Sequence, residues 1–281
     1  MASVPVPDGA EVSVAVSDPA SGGSASYGSG LYETASIVKV DILAVLLLRA
    51  QDAGRAPTAA EEAHAAAMIE RSDNDSASAL WRAIGAADGL DAGNARFGLT
   101  RTRGGDGPLW GLTRTTAADQ VALLRQVFVA DGSALDEASR AYVSGLMGRI
   151  TEGQRWGVSA AADTAGGSAW ALKNGWLRRG TTGLWVVDSI GRVTTGGRER
   201  LVAVLSRGSA SLAEGIALTE AAARAAVSVF RGAVSAEATG TPSSGAFSSG
   251  AFSSGAFTSG AFTSGAFSSG EDGAASGQKS S

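Results

Sequence analysis

The chain has no cysteine, a single histidine and only three lysines among 281 residues. Each scarcity closes off a class of chemistry. Without cysteine there is no disulfide, no thiol nucleophile and no thiolate-bound metal, and the redox compartment is left undetermined. One histidine, His64, cannot build a histidine-rich zinc centre, and a Ser-His-Asp triad would have to recruit it from an Ala-rich helical stretch where an ordinary structural position is the simpler reading. Positive charge is in short supply too: a net charge of −4 and a pI near 5.1 leave no basic footprint for nucleic acid. Long apolar runs are also missing. The longest, Ile42 to Leu48, falls far below the ~20 residues that cross a bilayer, and Met1 to Pro5 lacks the basic and apolar regions of a secretory signal. A soluble protein with no membrane span is expected, its compartment unknown.

What is present is enough apolar residue, 44%, for a sizeable core in one large domain or two small ones. From Pro242 the composition changes to Ser, Gly, Ala and Phe, with a five-residue unit repeated from Ser243 to Phe267. Such a segment buries too little to offset the entropy of ordering, so residues 235–281 are expected to form a disordered tail after a folded domain over 1–234.

Within that domain, alternation over Glu11 to Val16 predicts a strand, with Tyr27 to Tyr32 as its hairpin partner. Ser36 to about Ala50 is apolar on almost every face and predicts a helix buried in the middle of the fold. Thr58 with Glu61 forms a capping box for a helix to about Glu70; Asn74 or Asp75 caps another, to about Ile84. Thr116 with Asp119 opens a third, and Asp136 a fourth. Strands return at Trp170 to Leu177, Gly183 to Asp188 and Arg200 to Ser206, and Ser211 with Glu214 caps a last helix to about Phe230. Strands, a helical insert, more strands and a closing helix predict an α+β fold in two lobes: an antiparallel sheet flanked by N- and C-terminal helices (about 1–50 and 155–234), and an all-helical lobe (about 51–154). A cleft between the lobes is the natural ligand site.

Two of the three lysines fall in short motifs that occur in order: Ser36-Ile37-Val38-Lys39, Ser72-Asp73-Asn74 and Lys173-Asn174-Gly175. Taken alone, the second reads equally as a helix-capping loop and the third as a hairpin turn. Together they supply the parts of an acyl-transfer site. Ser36, in the first turn of a helix, is the nucleophile, and Lys39, one turn on, is its base once burial and a second nearby cation, Lys173, lower the amine toward neutrality. Ser72 relays a proton to the leaving group and Asn74 binds a substrate amide. Lys173 holds a carboxylate, Gly175 lets the substrate lie close along a strand edge, and the N–H groups of Ser36 and Trp176 form an oxyanion hole.

These motifs, over residues 10 to 232, resemble those of the class A β-lactamases and the related penicillin-binding proteins. The resemblance implies acylation of Ser36 by a β-lactam or an acyl-D-Ala-D-Ala-like peptide, with no metal or cofactor, in a monomer that works outside the cytoplasm. Two departures stand out. Asn174 replaces the family's Thr or Ser. The loop that should carry a deacylating Glu has no glutamate; its nearest stand-in is Asp106, within Asp106-Gly107-Pro108-Leu109-Trp110, and Trp110 replaces an amide. Asp106 reads more simply as a solvated turn residue. The resemblance therefore implies intact acylation with slow hydrolysis, as in a β-lactamase of low turnover, a peptidase or esterase, or a β-lactam-trapping sensor.

Overall fold

Strand β1 (Glu11–Ser17) sends Val12, Val14 and Val16 into one hydrophobic core and Ala15 into another, the period-2 alternation of a strand with both faces covered. The computed structural model describes residues 4–163, 169–230 and 263–264. In it β1 is flanked by β2 (Ser24–Tyr27) and by β7 (Arg198–Ser209), the latter in register from Glu11↔Arg207 to Ser17↔Leu201. β6 (Trp185–Thr195) and then β5 (Trp170–Arg178) complete one side of the sheet, and β8 (Thr263–Ser264) lies beside β2, giving the order β5-β6-β7-β1-β2-β8. Every pairing is antiparallel. Apart from β8, the low-complexity tail lies outside the described residues.

The helices are α1 (Val38–Asp52), α2 (Ala59–Glu70), α3 (Asn74–Ala83), α4 (Ala86–Phe97), α5 (Ala117–Phe128), α6 (Glu137–Met147) and α7 (Leu212–Ser228). α7 covers the face of the sheet that carries Val14, Val202 and Val204; α5 covers the face with Ala15, Ala203 and Leu205. α1 runs through the helical lobe, and every residue from Val38 to Leu48 is buried. Each Leu or Ile buried there contributes roughly 2 kcal/mol, so the helix that begins beside Ser36 is anchored along its length. This is the α+β fold expected, in which strands from both ends of the chain share one sheet.

Several caps fall where their sequence signals lie. Thr58 and Glu61 make a reciprocal capping box at α2, and Thr116, Asp136 and Ser211 accept the backbone N–H three residues on at α5, α6 and α7. Two expectations need correction. The hairpin partner of β1 is Ser24–Tyr27, because Gly28 adopts a φ of +71° and takes the chain out of the sheet. Tyr32–Glu33, here β3, instead pairs with β4 (Arg114–Thr115). And α3 is capped by Asp73, not Asn74 or Asp75: Asp73 is extended and its carboxylate accepts from Ser76 N at 2.7 Å.

Candidate active site

Ser36 sits in a 3₁₀ turn, Ala35–Ile37, that leads directly into α1. Ala35 has a φ of +43°, a conformation that costs a non-glycine residue on the order of 1 kcal/mol or more and is kept where the surroundings enforce it. The enforcing contact is β5. A Cβ added to Gly175 would stand 2.7 Å from Ser36 N, 2.7 Å from Thr34 O and 2.8 Å from Ile37 N. Only a bare Cα lets this edge strand press against the turn that holds the serine.

Lys39 lies three residues past Ser36, a spacing that places both on one side of the 3₁₀-to-α junction. The lysine is completely buried. Its Nζ donates to Ser72 O at 2.7 Å, Asn74 Oδ1 at 2.8 Å and Ser72 Oγ at 3.1 Å, and stands 4.8 Å from the centroid of the Trp110 ring. Burial lowers this amine to about 7, against a smaller opposing pull from the Asp73 carboxylate. The sequence reasoning assigned part of that lowering to Lys173; the effect runs mainly the other way. Lys173, also with no exposed surface, is held well below the ordinary lysine range by burial first and by Lys39 second.

The two amines meet on one atom. Lys173 Nζ lies 3.0 Å from Ser72 Oγ, so that hydroxyl is shared by Lys39 and Lys173. Ser72 reaches this place from the loop between α2 and α3 with a φ of +58°. Ala35 and Ser72 are two of only three non-glycine residues with positive φ among the described residues. Strain of this kind concentrates where side-chain aim matters more than backbone comfort.

Lys173 Nζ also donates to Asn174 O at 3.0 Å and approaches Gln154 Oε1 at 3.5 Å. Asn174 is turned inward: its amide donates to Gln154 O at 2.8 Å and to Trp156 O at 3.1 Å, and its own oxygen is buried without a partner. Trp176, half-buried, pairs with Trp156 at 5.8 Å between ring centroids. Asp106 is exposed; its carbonyl closes a turn with Leu109 N. Trp110 is pinned by a 3.1 Å hydrogen bond from its indole to Ser78 Oγ. His64 is an exposed residue of α2 that touches Ser76. Among the described residues no cluster of His, Cys, Asp and Glu is suited to a metal, and no helix is long and apolar enough to cross a membrane.

The structure thus brings Lys39, Ser72, Asn74 and Lys173 into one hydrogen-bonded group, with Ser36 and Gly175 in contact beside it. Gln154, Trp110 and Trp156 adjoin this group too. Sequence reasoning assigned none of them a role in binding, and for Gln154 no local signal exists.

A family model described as "Beta-lactamase enzyme family" matches residues 60–230, more than half the chain. The matched span includes Ser72 to Asn74 and Lys173 to Gly175. Among solved structures, an ancestral class A β-lactamase, that of the last common ancestor of Gram-negative bacteria, is 22% identical; the alignment covers 79% of this chain and 95% of that one, with a TM-score of 0.65. A class A β-lactamase from Mycobacterium abscessus is 19% identical over 79% of this chain and 95% of its own, with a TM-score of 0.65. A mutant of PBP-A, solved as an acyl-enzyme with penicillin G, is 21% identical over 80% and 92%, with a TM-score of 0.67. No curated protein matches the chain.

Proposed function

Because the chain belongs to the β-lactamase enzyme family, we propose that it is a serine hydrolase acylated at Ser36 by β-lactams, whose amide ring it opens and whose acyl-enzyme it releases slowly. One observation carries the reading: two buried lysines, Lys39 of α1 and Lys173 of β5, converge on Ser72 Oγ, at 3.1 and 3.0 Å, and Lys39 lies three residues past Ser36.

The steps follow from the charges. Two ammonium groups sharing one hydroxyl repel each other, so the site favours a neutral amine on one of them. Neutral Lys39 takes the Ser36 proton as the serine oxygen attacks the carbonyl. The oxyanion that forms is met by the N–H groups of Ser36 and Trp176. The C–N bond then breaks, and Ser72 gives its proton to the leaving nitrogen and recovers one from the lysine pair. Asn74, its oxygen held by Lys39, offers its amide hydrogens to a substrate carbonyl. Gly175 leaves room for substrate along β5, and Lys173 is the binding partner for a substrate acceptor.

Release of the acyl group needs a base to activate water. Asp106 points into solvent and Trp110 covers Lys39, so this half of the cycle is poorly equipped. That observation favours a second reading within the same chemistry: a peptidase-, esterase- or sensor-like protein that keeps its acyl group. In either case the catalytic domain spans residues 1–234 and acts as a monomer.

Mixing the protein with a chromogenic cephalosporin while following colour and intact mass separates these readings. We expect about one equivalent of colour in a burst, a persistent adduct and a slow steady state, all lost in Ser36→Ala. Fast sustained turnover would remove the slow-release reading, and an adduct that persists in Ser36→Ala would overturn the nucleophile.

A further inference from the structure

We propose that Gln154 is a specificity-determining residue: its side-chain amide fills the position beside Lys173 where a substrate carboxylate would bind, and it tilts selection toward acyl donors that are uncharged there. The inference rests on the reading of Ser36 as the acylated serine.

Gln154 ends a short 3₁₀ turn, Glu152–Gln154, and is fixed on both sides. Its N–H donates to Thr151 O at 3.0 Å, and its carbonyl accepts from Asn174 in β5 at 2.8 Å. Its side chain donates to Arg71 O at 3.2 Å, the carbonyl just before Ser72, and turns its oxygen toward Lys173 Nζ at 3.5 Å. The amide therefore straps β5 to the α2–α3 loop directly over the shared hydroxyl.

An ammonium has three N–H groups, and each of Lys173's has a protein acceptor: Ser72 Oγ, Asn174 O and Gln154 Oε1. A carboxylate that reaches Lys173 must displace one. Ser72 is the proton relay and Asn174 O belongs to the strand, so the long contact to Gln154 is the one that yields. Among the described residues, none of the groups hydrogen-bonded to Lys173 carries a positive charge that would offset the cost of desolvating an anion. Asn174 has no hydroxyl, and its amide N–H groups are turned inward to the Gln154 and Trp156 carbonyls. Arg155, the next residue, turns its Nε to Ile150 O at 3.4 Å and lays its guanidinium over the Trp170 ring, away from Lys173's three acceptors. The remaining wall is the Trp156–Trp176 pair, which favours apolar groups.

The test uses the full chain, a penicillin and the methyl ester of the same penicillin, with acylation rates read from intact mass over a range of donor concentrations. In wild type the ester is expected to acylate at least as fast as the acid. Gln154→Ala should raise the acid-to-ester ratio of second-order rates about tenfold, the low end of the range for one hydrogen bond to a charged group, through a lower half-saturation for the acid. Gln154→Glu keeps the side-chain length and an oxygen beside Lys173 but gives up the donor to Arg71 O. Its added negative charge should lower the same ratio, and because both variants lose that donor, opposite directions of change separate the effect at Lys173 from a folding defect. A ratio that stays put in both variants, or a wild type that prefers the acid tenfold, overturns the role of Gln154 while leaving Ser36 intact. No adduct from either donor in wild type overturns the Ser36 reading, and this inference with it.

Discussion

The wall of the site that would form an acyl-enzyme and the wall that would release it are built to different standards. On the first, Lys39 and Lys173 each direct Nζ at three protein acceptors, and Ala35 and Ser72 carry positive φ. On the second, the segment from Gly105 to Leu112 has an exposed Asp106 and an exposed Leu109, and reaches the site through the Trp110 ring over Lys39 and Gly111 beside Ala35. A protein that keeps one wall tightly organised and leaves the other without a buried base is suited to holding its acyl group.

The largest expected effect breaks the first wall. Lys39→Ala removes the proposed base and one of the two donors to Ser72, and the acylation rate should fall at least 10³-fold, in line with the loss of a positioned base and its hydrogen-bond network. In the proposed mechanism, acylation requires the neutral amine of Lys39. With Lys39 at about 7, the second-order rate should climb about tenfold per pH unit below 7 and flatten above it. A profile flat from pH 5 to 9 would show that Lys39 is not the base.

Next is Gly175→Ala, which places a methyl group 2.7 Å from Ser36 N and Thr34 O. Those are backbone atoms that cannot swing aside. β5 must therefore retreat from the serine turn, and we expect acylation to drop about 100-fold, the cost of a roughly 1 Å misplacement. Unfolding should change by only about 1–3 kcal/mol. A variant that acylates normally would mean that the strand does not position the nucleophile.

Asp41 sharpens the comparison because it shares α1 with Lys39 and is just as buried, yet both its oxygens lack a hydrogen bond of ordinary geometry, as do the polar atoms of Asn94 that face it. Burial raises this carboxyl to about 8, with Asp91 and Asp119 pushing the same way and Asn94 opposing. The folded state thus holds a proton that the unfolded state gives up near pH 4, so Asp41 costs nothing at low pH and destabilises progressively as pH rises toward 8. Asp41→Leu should gain a few kcal/mol at pH 8 and little at pH 4, with acylation unaltered at pH 7. Lys39 contributes the opposite slope, stability rising between about 7 and 10.5. Equal stabilities of wild type and Asp41→Leu at pH 8, in urea titrations, would remove the contrast.

How much of this was legible in the sequence depends on how local each cause is. Capping at Thr58, Thr116, Asp136 and Ser211 involves residues three apart and could be read directly. α4 left no such mark, because it opens from Gly85 and Ala86, both with positive φ, and has no side-chain cap. β6 runs on past Asp188 to Thr195 through Gly191, whose bare Cα fits against Ala171 O, a pairing no local pattern announces. In the site, the three motifs could be found because residue type and order carry their chemistry. Gln154 could not, since its role is a set of contacts to residues 19, 20 and 83 positions away.

The smallest expected effect concerns the second wall. Asp106 is exposed and makes its turn through its backbone carbonyl, and no side-chain hydrogen bond joins it to the group around Ser72 among the described residues. Its carboxylate gives nothing to the proton transfers around Ser72. Asp106→Ala should change the acylation rate less than twofold and the rate of acyl release hardly more, because a solvated turn residue contributes little to either. A tenfold loss in release alone, measured as persistence of the adduct by intact mass, would mean that this carboxylate reaches the acyl group after all and that the two walls differ in degree, not in kind.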